Sequence, residues 1–530
     1  MTGPKNLSSF IMVRLWPYLL FGAVVIFYWP GYYGHFVPND SVSYLSIAEK
    51  YAAGDFSKAI NAYWSPMISW LIAMMIKLRI PPLIAFHLIK TGSGLLVIVF
   101  SQKIVGLYKW PTWASFCTMI VISGWAAYFT LHYLSPDALM TAVLTIYLFL
   151  VLSGKWLQKP LMTGVLGAIL YFTKAFGFFF FAAHILLYSA WKIASCRKQS
   201  LFIIKKTGLA FTIFLLLSLS WMMMLYQRYH QFTVSSAGSY NHGLMRYGDG
   251  SVQPSLHVGL LPLPDSAAYN SWEEITLVHD YEKWVPWQSK ANLLLQLKVI
   301  KNNGWYELKK IYGANPLSWP ALAIYLVLFL LFLRKCLLKK NTPEAGHLDL
   351  HAYVFLLLYC FGYAMAGVDE RYLWIADLIL LFLVLNFAVQ CSKKIKLPAA
   401  IWWVVAAGIV LLCGREIRGK LLFFNYELKE QLAEADILRL RVPAGTVVAT
   451  HETNAINAID WLGRWHNHGG LEGYRSVDEM KAGLKQYEVE VVLIPDSVQA
   501  RYQWLIAESD TVVGVRHWKI YKLHKTYNGF

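Results

Sequence analysis

The sequence predicts an α-helical polytopic membrane protein that carries a small α/β domain at its C-terminus. Of its 530 residues, 57% are hydrophobic and 16% are aromatic, and the mean hydropathy is +0.42. Soluble globular domains are less apolar than this, and repeated apolar runs of about 18 or more residues are typical of membrane-spanning helices. Beyond residue 414 these runs stop, and short alternating segments typical of β-strands begin.

About eleven apolar runs have the composition of membrane-spanning helices. Their predicted limits are 12–29, 82–103, 112–132, 136–153, 160–174, 176–192, 207–226, 318–334, 351–367, 372–390 and 398–414. Segment 64–80 is apolar but short, and we assign it to the membrane interface. With this assignment the basic clusters at 103–109, 155–159, 192–206, 334–340 and 393–396 all lie on the cytoplasmic side, as the positive-inside rule favours.

The excess of basic residues indicates topology rather than binding to nucleic acid. The net charge is +17, but the lysines and arginines cluster in short loops between apolar runs. The six cysteines show no CxxC spacing, so the sequence predicts no zinc site. The first apolar run lacks a cleavage site and is predicted to be an uncleaved anchor.

Two domains are predicted from these patterns. Residues 1–414 form the membrane domain, with an outer loop over 30–81 and a long outer loop over 227–317, and residues 415–530 form the soluble domain. The predicted topology places the N-terminus in the cytoplasm and the C-terminal domain outside, in the periplasm if the membrane is a bacterial inner membrane.

Asp40 and Asp137 are the leading candidates for catalytic carboxylates. Each follows a predicted span on the outer face, where an ionisable group beside apolar sequence is by default a functional hypothesis. A structural explanation exists for both, because an Asp in the first turn of a helix caps backbone N–H groups and favours the helix dipole. In Ser135-Pro136-Asp137, a capping Ser is followed by Pro at the first helical position.

Lys174 and the segment Gly367–Tyr372 provide candidate cations at the same predicted surface. Arg371 is suited to bidentate binding of a phosphate, with Glu370 and Tyr372 beside it as further ligand-binding candidates. The alternative explanations are a local pair between Arg371 and Glu370, and snorkelling of Lys174 toward the headgroups.

The long outer loop is rich in aromatic residues. Two explanations stay open, an aromatic belt at the headgroup level and a platform for a sugar or lipid-linked ligand. Tyr240 and Arg246 are its substrate-binding candidates.

The C-terminal domain is predicted to contain strands over 446–451, 489–495 and 511–524, with a helix over 476–487. Its histidines, His451, His466 and His468, match no metal-ligand spacing and are interpreted as surface residues.

Five short motifs, in this order, resemble the GT-C superfamily of membrane glycosyltransferases, near the protein O-mannosyltransferase and lipid A aminoarabinose transferase branch. They are PND at 38–40, AYWSPMISWLIAMMIKLR at 62–79, LSPDALMTAVL at 134–144, YFTKAFGFFFF at 171–181 and DERYLWIADLILLFL at 369–383. The resemblance covers the chain to about residue 390 and leaves the C-terminal domain without a matching motif.

The resemblance implies transfer of a hexose or pentose from a polyprenyl-phosphate-linked donor to a glycan, lipid or protein acceptor outside the membrane. Asp40 occupies the general-base position, Asp137 a second acidic position, and Lys174 and Arg371 the positions that stabilise the leaving phosphate. A divalent cation, Mg²⁺ or Mn²⁺, held by Asp40 and Asp137 is a further expectation. Many relatives carry two adjacent acidic residues after the first span, whereas this chain has Asn39-Asp40.

Two functions of other classes compete with this interpretation. A transporter or flippase for a lipid-linked glycan would place ionisable or Gly/Pro-broken positions deep within spans and show an internal repeat. A non-enzymatic scaffold that displays the C-terminal domain would not require carboxylates on one membrane surface.

Overall fold

The computed structural model describes most of the chain. The described ranges are 14–32, 39–195, 197–245, 259–278, 283–314, 318–337, 347–395, 398–423, 436–451 and 461–524. These residues belong to two compact units. The first consists of Met1–Pro30, His87–Met223 and Val285–Phe424, and the second of Gly31–Phe86, Met224–Trp284 and Asn425–Phe530. The domain limits predicted at residue 414 stay a prediction.

Nineteen α-helices are present among the described residues. In chain order they are α1 (Trp16–Tyr32), α2 (Asn39–Ala53), α3 (Phe56–Ala59), α4 (Met67–Lys77), α5 (Pro82–Tyr108), α6 (Thr112–Leu131), α7 (Asp137–Leu152), α8 (Lys155–Gln158), α9 (Pro160–Thr173), α10 (Phe176–Ser195), α11 (Ser200–Tyr229), α12 (Ala237–Leu244), α13 (Ile275–Val278), α14 (Lys290–Ala314), α15 (Ser318–Leu337), α16 (His347–Ala366), α17 (Trp374–Lys394), α18 (Ala399–Phe423) and α19 (Val477–Gln486).

Seven helices of the described residues are long and apolar enough to cross a membrane: α5, α6, α10, α11, α16, α17 and α18. The shorter apolar helices α1, α7, α9 and α15 coincide with four further predicted spans. The helical polytopic membrane class is therefore confirmed, and the count of eleven spans stays a prediction.

Helix α4 explains why segment 64–80 differs from the spans around it. It has 11 residues and is about 16 Å long, roughly half the thickness of a hydrocarbon core. It packs against α2, where Ser69 Oγ donates to the Tyr44 carbonyl at 2.9 Å. A helix of this length cannot cross a bilayer by itself.

The helices of the first unit differ in what surrounds them. Side chains of α6 and α17 are largely buried in protein, and the rings of Phe129 and Trp374 stack between these helices at a centroid distance of 4.4 Å. Helix α18 instead exposes apolar side chains such as Val404 and Leu411. An exposed apolar surface of this kind is expected of a helix that contacts lipid.

A five-stranded mixed sheet forms the C-terminal part of the second unit. Its strands are β1 (Val447–Thr450), β2 (His466–Gly470), β3 (Val491–Pro495), β4 (Ser509–Val515) and β5 (Trp518–Leu523), in the spatial order β2-β1-β3-β5-β4. Strand β1 is parallel to β2 and β3, whereas β5 is antiparallel to β3 and β4. One face packs on α19 and the other on Leu438, Val442 and Trp465. The small C-terminal α/β fold is confirmed.

The interpretation of the histidines as surface residues is wrong. His451 and His468 are buried and His466 is half-buried. The edge of β2 is covered by the part of the long loop that begins at residue 259, so that His468 Nδ1 donates to the Leu261 carbonyl at 2.8 Å. His451 Nδ1 lies 2.7 Å from the Tyr502 hydroxyl.

Candidate active site

Asp137 is the centre of a buried ion cluster in the first unit. Its side chain is 3% exposed, and Lys174 Nζ lies 2.6 Å from Oδ1. Arg371 Nε lies 3.5 Å from Oδ2, and Ser135 Oγ donates to the same oxygen at 2.7 Å. Asp137 is therefore the first residue of α7, as the structural explanation requires, and it also binds two cations.

Lys174 reaches this carboxylate because the chain breaks between α9 and α10. Its backbone is extended, with φ −151° and ψ 134°. Two residues into the next helix, Gly177 approaches the preceding helix so closely that a Cβ would lie 2.4 Å from the Leu170 carbonyl oxygen. Only glycine permits this close approach. The short break directs the Lys174 side chain toward Asp137. The Lys174 ammonium group also lies 3.4 Å from the ring centroid of Tyr372.

Arg371 is positioned by a 3₁₀ turn, Glu370–Leu373, that precedes α17. The Asp369 carboxylate accepts a hydrogen bond from the Arg371 backbone N–H at 3.2 Å and also lies 3.3 Å from the guanidinium Nε. The guanidinium carbon lies 4.6 Å from the centroid of the Tyr133 ring. The local pairing of Arg371 is thus with Asp369 rather than with Glu370.

Glu370 is shared by two other cations. Lys310 Nζ of α14 lies 3.1 Å from Oε2, and Lys420 of α18 contacts Oε1. Both pairs are more exposed than the pair of Asp137 with Lys174. We call Lys174, Arg371, Lys310 and Lys420, together with Asp137 and Glu370, the cation cluster.

Asp40 belongs to the second unit and lies in the first turn of α2. It is half-buried, and the indole N–H of Trp272 donates to its Oδ1 at 3.4 Å. Trp272 is part of an aromatic group that includes Tyr63, whose ring centroid is 6.1 Å away. This geometry fits a carboxylate held by the edge of an aromatic side chain.

The residues that follow Trp272 fix its position through buried carboxyl groups. Glu273 binds Lys50 of α2, which also binds Asp265 at 2.7 Å. Glu274 accepts from the Tyr229 hydroxyl at 2.7 Å and from the Ala62 N–H at 3.2 Å. Burial raises the pKa of both glutamates, and the Lys50 ammonium opposes the shift at Glu273.

The remaining candidates of the long loop differ in their placement. Tyr240 is fully buried, with its ring centroid 5.8 Å from that of Tyr63. It packs within the aromatic group, and its predicted contact with a substrate stays a prediction. Arg246 lies outside the described residues.

Asp137 has no carboxylate oxygen left over to bind the predicted divalent cation. Both of its carboxylate oxygens already bind cations or the Ser135 hydroxyl. Within the described ranges, no group of three or more His, Cys, Asp or Glu residues is arranged to hold a metal. We therefore derive no step through a metal ion, and the predicted cation stays a prediction.

Sequence reasoning missed three cations of this region, Lys90, Lys310 and Lys420. Lys90 could have been recognised from the sequence, because it is a basic residue within the apolar helix α5. The structure shows that it is fully buried. Lys310 and Lys420 had none, since their helices contain other basic residues and only packing brings these two to Glu370.

The helices and the C-terminal sheet of the described residues are arranged as in solved membrane glycosyltransferases of the GT-C superfamily. Lipid A aminoarabinose transferase ArnT from Cupriavidus metallidurans is similar in its apo form, with a TM-score of 0.54 and 13% identity over 97% of this chain and 99% of ArnT. The same enzyme bound to undecaprenyl phosphate has a TM-score of 0.52 and 12% identity.

The archaeal oligosaccharyltransferase AglB from Archaeoglobus fulgidus, in complex with an inhibitory peptide and a dolichol-phosphate, is also similar. Its TM-score is 0.52 with 9% identity, over 92% of this chain and 70% of AglB. No protein-family model and no curated protein sequence matches the chain. At these identities the likeness establishes the fold, and it confirms the GT-C resemblance at that level.

Proposed function

We propose that this chain is a glycosyltransferase that moves a sugar from a polyprenyl-phosphate-linked donor to an acceptor on the outer face of a bacterial inner membrane. The observation that carries the proposal is the pairing of the buried Asp137 with Lys174 and Arg371 at helix ends of a GT-C-like fold. The acceptor is a glycan, a lipid or a protein, and the transferred group is a hexose or a pentose.

The cation cluster supplies what departure of a phosphate requires. Cleavage of a sugar–phosphate bond leaves negative charge on the phosphate oxygens, which positioned Arg and Lys side chains stabilise. Asp137 holds Lys174 and Arg371 in place, and Asp369 also pairs with Arg371. The four cations of the cluster exceed the carboxylates Asp137, Asp369 and Glu370 by one, a net charge of +1. The binding of undecaprenyl phosphate by ArnT and of dolichol-phosphate by AglB supports a polyprenyl-phosphate carrier.

Asp40 is proposed as the general base. A sugar or protein hydroxyl is a weak nucleophile near neutral pH, and a positioned carboxylate that accepts its proton accelerates attack by roughly 10² to 10⁴-fold. Oδ1 of Asp40 already accepts from Trp272, which would orient the carboxylate for that role. The freed proton passes to Asp40, and the sugar–phosphate bond breaks with its electron pair on the phosphate.

The test is a comparison of surface glycans, lipids and proteins by mass spectrometry. Cells that lack this protein receive the native chain, Asp40→Asn or Asp55→Asn at matched membrane levels. Asp55 is the control, because it lies just after α2 with an exposed side chain paired to Lys58. We expect the native chain and Asp55→Asn to restore one sugar mass and Asp40→Asn to lose it by at least 100-fold.

The mass identifies the sugar, and the molecule that carries it identifies the acceptor class. Equal restoration by Asp40→Asn would show that Asp40 only caps α2. If the native chain restores no mass, the glycosyltransferase proposal is wrong, and a transporter or scaffold becomes the better explanation.

A further inference from the structure

Lys90 is a buried lysine that the proposed reaction does not use. It lies in the apolar helix α5 and is 1% exposed. No carboxylate of the described part of the chain lies within ion-pair distance of its ammonium group, which instead donates to two backbone carbonyls. Burial of an ammonium group is costly, so the presence of Lys90 inside an apolar helix indicates a specific role.

The two carbonyls belong to the residues that directly follow α6. Lys90 Nζ lies 2.5 Å from the His132 oxygen and 2.6 Å from the Tyr133 oxygen. Carbonyls at a helix C-terminus lack partners within the helix and form the negative end of its dipole, so a cation is favourable there. Thr130 Oγ1 donates in turn to the Lys90 carbonyl at 3.3 Å, a second tie between α5 and the end of α6.

The turn that Lys90 holds, residues 132–136, leads directly into the cation cluster. Tyr133 places its ring under the guanidinium group of Arg371, and Ser135 donates to Asp137. Asp137 follows the turn and holds Lys174. Three contacts of the cluster thus depend on one short segment, whose backbone position Lys90 fixes from the neighbouring helix.

We infer that Lys90 is a positioning residue that fixes the turn 132–136 and thereby sets the geometry of Asp137, Lys174 and Arg371. Its contribution to donor binding rests on the proposed function, whereas its hold on the turn does not. A displacement of about 1 Å in such a turn is enough to weaken a preorganised site strongly.

The test uses the full-length protein in lipid nanodiscs. Lys90→Met removes the charge and both donors, and Lys90→Gln retains an amide donor if the first variant folds poorly. Lys90→Arg retains the charge and donors as the rescue variant. Lys103→Met is the matched control, because Lys103 lies on the same helix with an exposed side chain.

Two quantities are measured, hydrogen exchange of backbone amides in peptides that cover 132–135, and binding of undecaprenyl phosphate as the probe. In Lys90→Met we expect exchange at least tenfold faster in this turn than in the native protein, and affinity for the probe at least tenfold lower. Exchange in the middle of α6 and α17 stays unchanged. Lys103→Met matches the native protein, and Lys90→Arg recovers both quantities.

Three results would overturn the inference. Unchanged exchange in 132–135 would show that Lys90 does not hold the turn. Weaker probe binding without faster exchange would assign Lys90 a direct contact with the phosphate. Failure of both Lys90→Met and Lys90→Gln to fold would give Lys90 a role in the whole bundle. If the native protein does not bind the probe while the turn still loosens in Lys90→Met, the donor proposal fails and the positioning role stands.

Discussion

At the scale of single residues, the carboxylates of the cation cluster act as holders of cations. Asp137 binds Lys174 and Arg371, and Glu370 binds Lys310 and Lys420. A long cationic side chain without such a partner samples many rotamers, and ordering it on ligand binding costs free energy. Preformed pairs avoid much of that cost, so the cluster is organised in advance for the phosphate that we propose it binds.

A pH-dependent effect on stability is expected at Glu307, a buried carboxyl group on α14. Burial raises its pKa from the ordinary 4.5 to about 8. Between these two values the folded protein keeps the carboxyl protonated while the unfolded chain ionises it, so the free energy of unfolding falls as pH rises. The penalty grows to roughly 4 kcal/mol at pH 8.

Glu307→Gln removes this penalty, because glutamine does not titrate. We expect the variant to unfold at a higher temperature than the native protein at pH 8, with little difference near pH 4.5. The measurement is thermal unfolding of the purified protein across that range, with the exposed Glu488→Gln as the control. A constant difference between Glu307→Gln and the native protein at every pH would contradict the assignment.

The sequence predicts the principal members of the site better than it predicts their partners. Asp137, Lys174 and Arg371 stand out because an ionisable residue beside an apolar run is rare and costly. Which cation pairs with which carboxylate depends on the packing of helices far apart in the chain. Lys420 and Glu370 are 50 residues apart, and no local pattern indicates their contact.

At the scale of elements, α14 has the composition of a helix that lies in the membrane interface. Six of its exposed apolar side chains fall on one stripe, and exposed lysines lie beside this stripe and within it. The apolar members are Leu293, Leu294, Leu297, Trp305, Leu308 and Tyr312, and the basic members are Lys290, Lys298, Lys301 and Lys309. An apolar stripe with lysines beside it is typical of helices that bind the headgroup region.

We expect spin labels on α14 to report this orientation. A label at Leu294 or Tyr312 is predicted to contact lipid and to be relaxed by oxygen, whereas a label at the exposed, polar Asn302 is relaxed by a water-soluble nickel complex. The measurement is power-saturation EPR in nanodiscs. Equal accessibility of all three positions to the nickel complex would place the helix in water and contradict the prediction.

Elements with a strong hydrophobic pattern were predicted from the sequence, and β2 was missed. Its residues, His466–Gly470, read HNHGG and contain none of the β-branched or aromatic residues that favour strands. The strand forms because β1 pairs with one of its edges and residues of the long loop pair with the other. The formation of β2 therefore depends on pairing with neighbouring segments and not on the strand propensity of its own residues.

At the scale of the whole molecule, the second unit combines three distant parts of the chain. Arg464 binds Glu49 of α2 at 2.6 Å, and the Asn467 N–H donates to the Tyr269 carbonyl at 2.8 Å. The membrane spans and the C-terminal sheet were predictable from runs and alternation. The joining of the outer loops with the sheet was not, because each contact links residues hundreds of positions apart.

This joining predicts that damage to the sheet spreads through the second unit. Ile520→Gln places an amide in the buried centre of β5, where the neighbouring side chains of the core are hydrophobic, so that burial of the amide is costly. We expect this variant to be more sensitive to proteases in the sheet and also in residues 39–86 and 259–278. Lys522→Gln, at an exposed position of the same strand, serves as the control. The measurement is limited proteolysis with mass spectrometry, and cleavage confined to 436–524 would contradict the prediction.

Because the second unit is discontinuous in sequence, its parts are synthesised at different times. Residues 87–424 are synthesised between its first and last parts, and at about 5–20 residues per second a ribosome needs roughly 17–70 s for them. During that interval Glu49 lacks its partner Arg464, and the helix that carries Asp40 lacks the C-terminal part of its unit. The rate of translation therefore sets how long the earliest part of the proposed catalytic machinery survives unassembled.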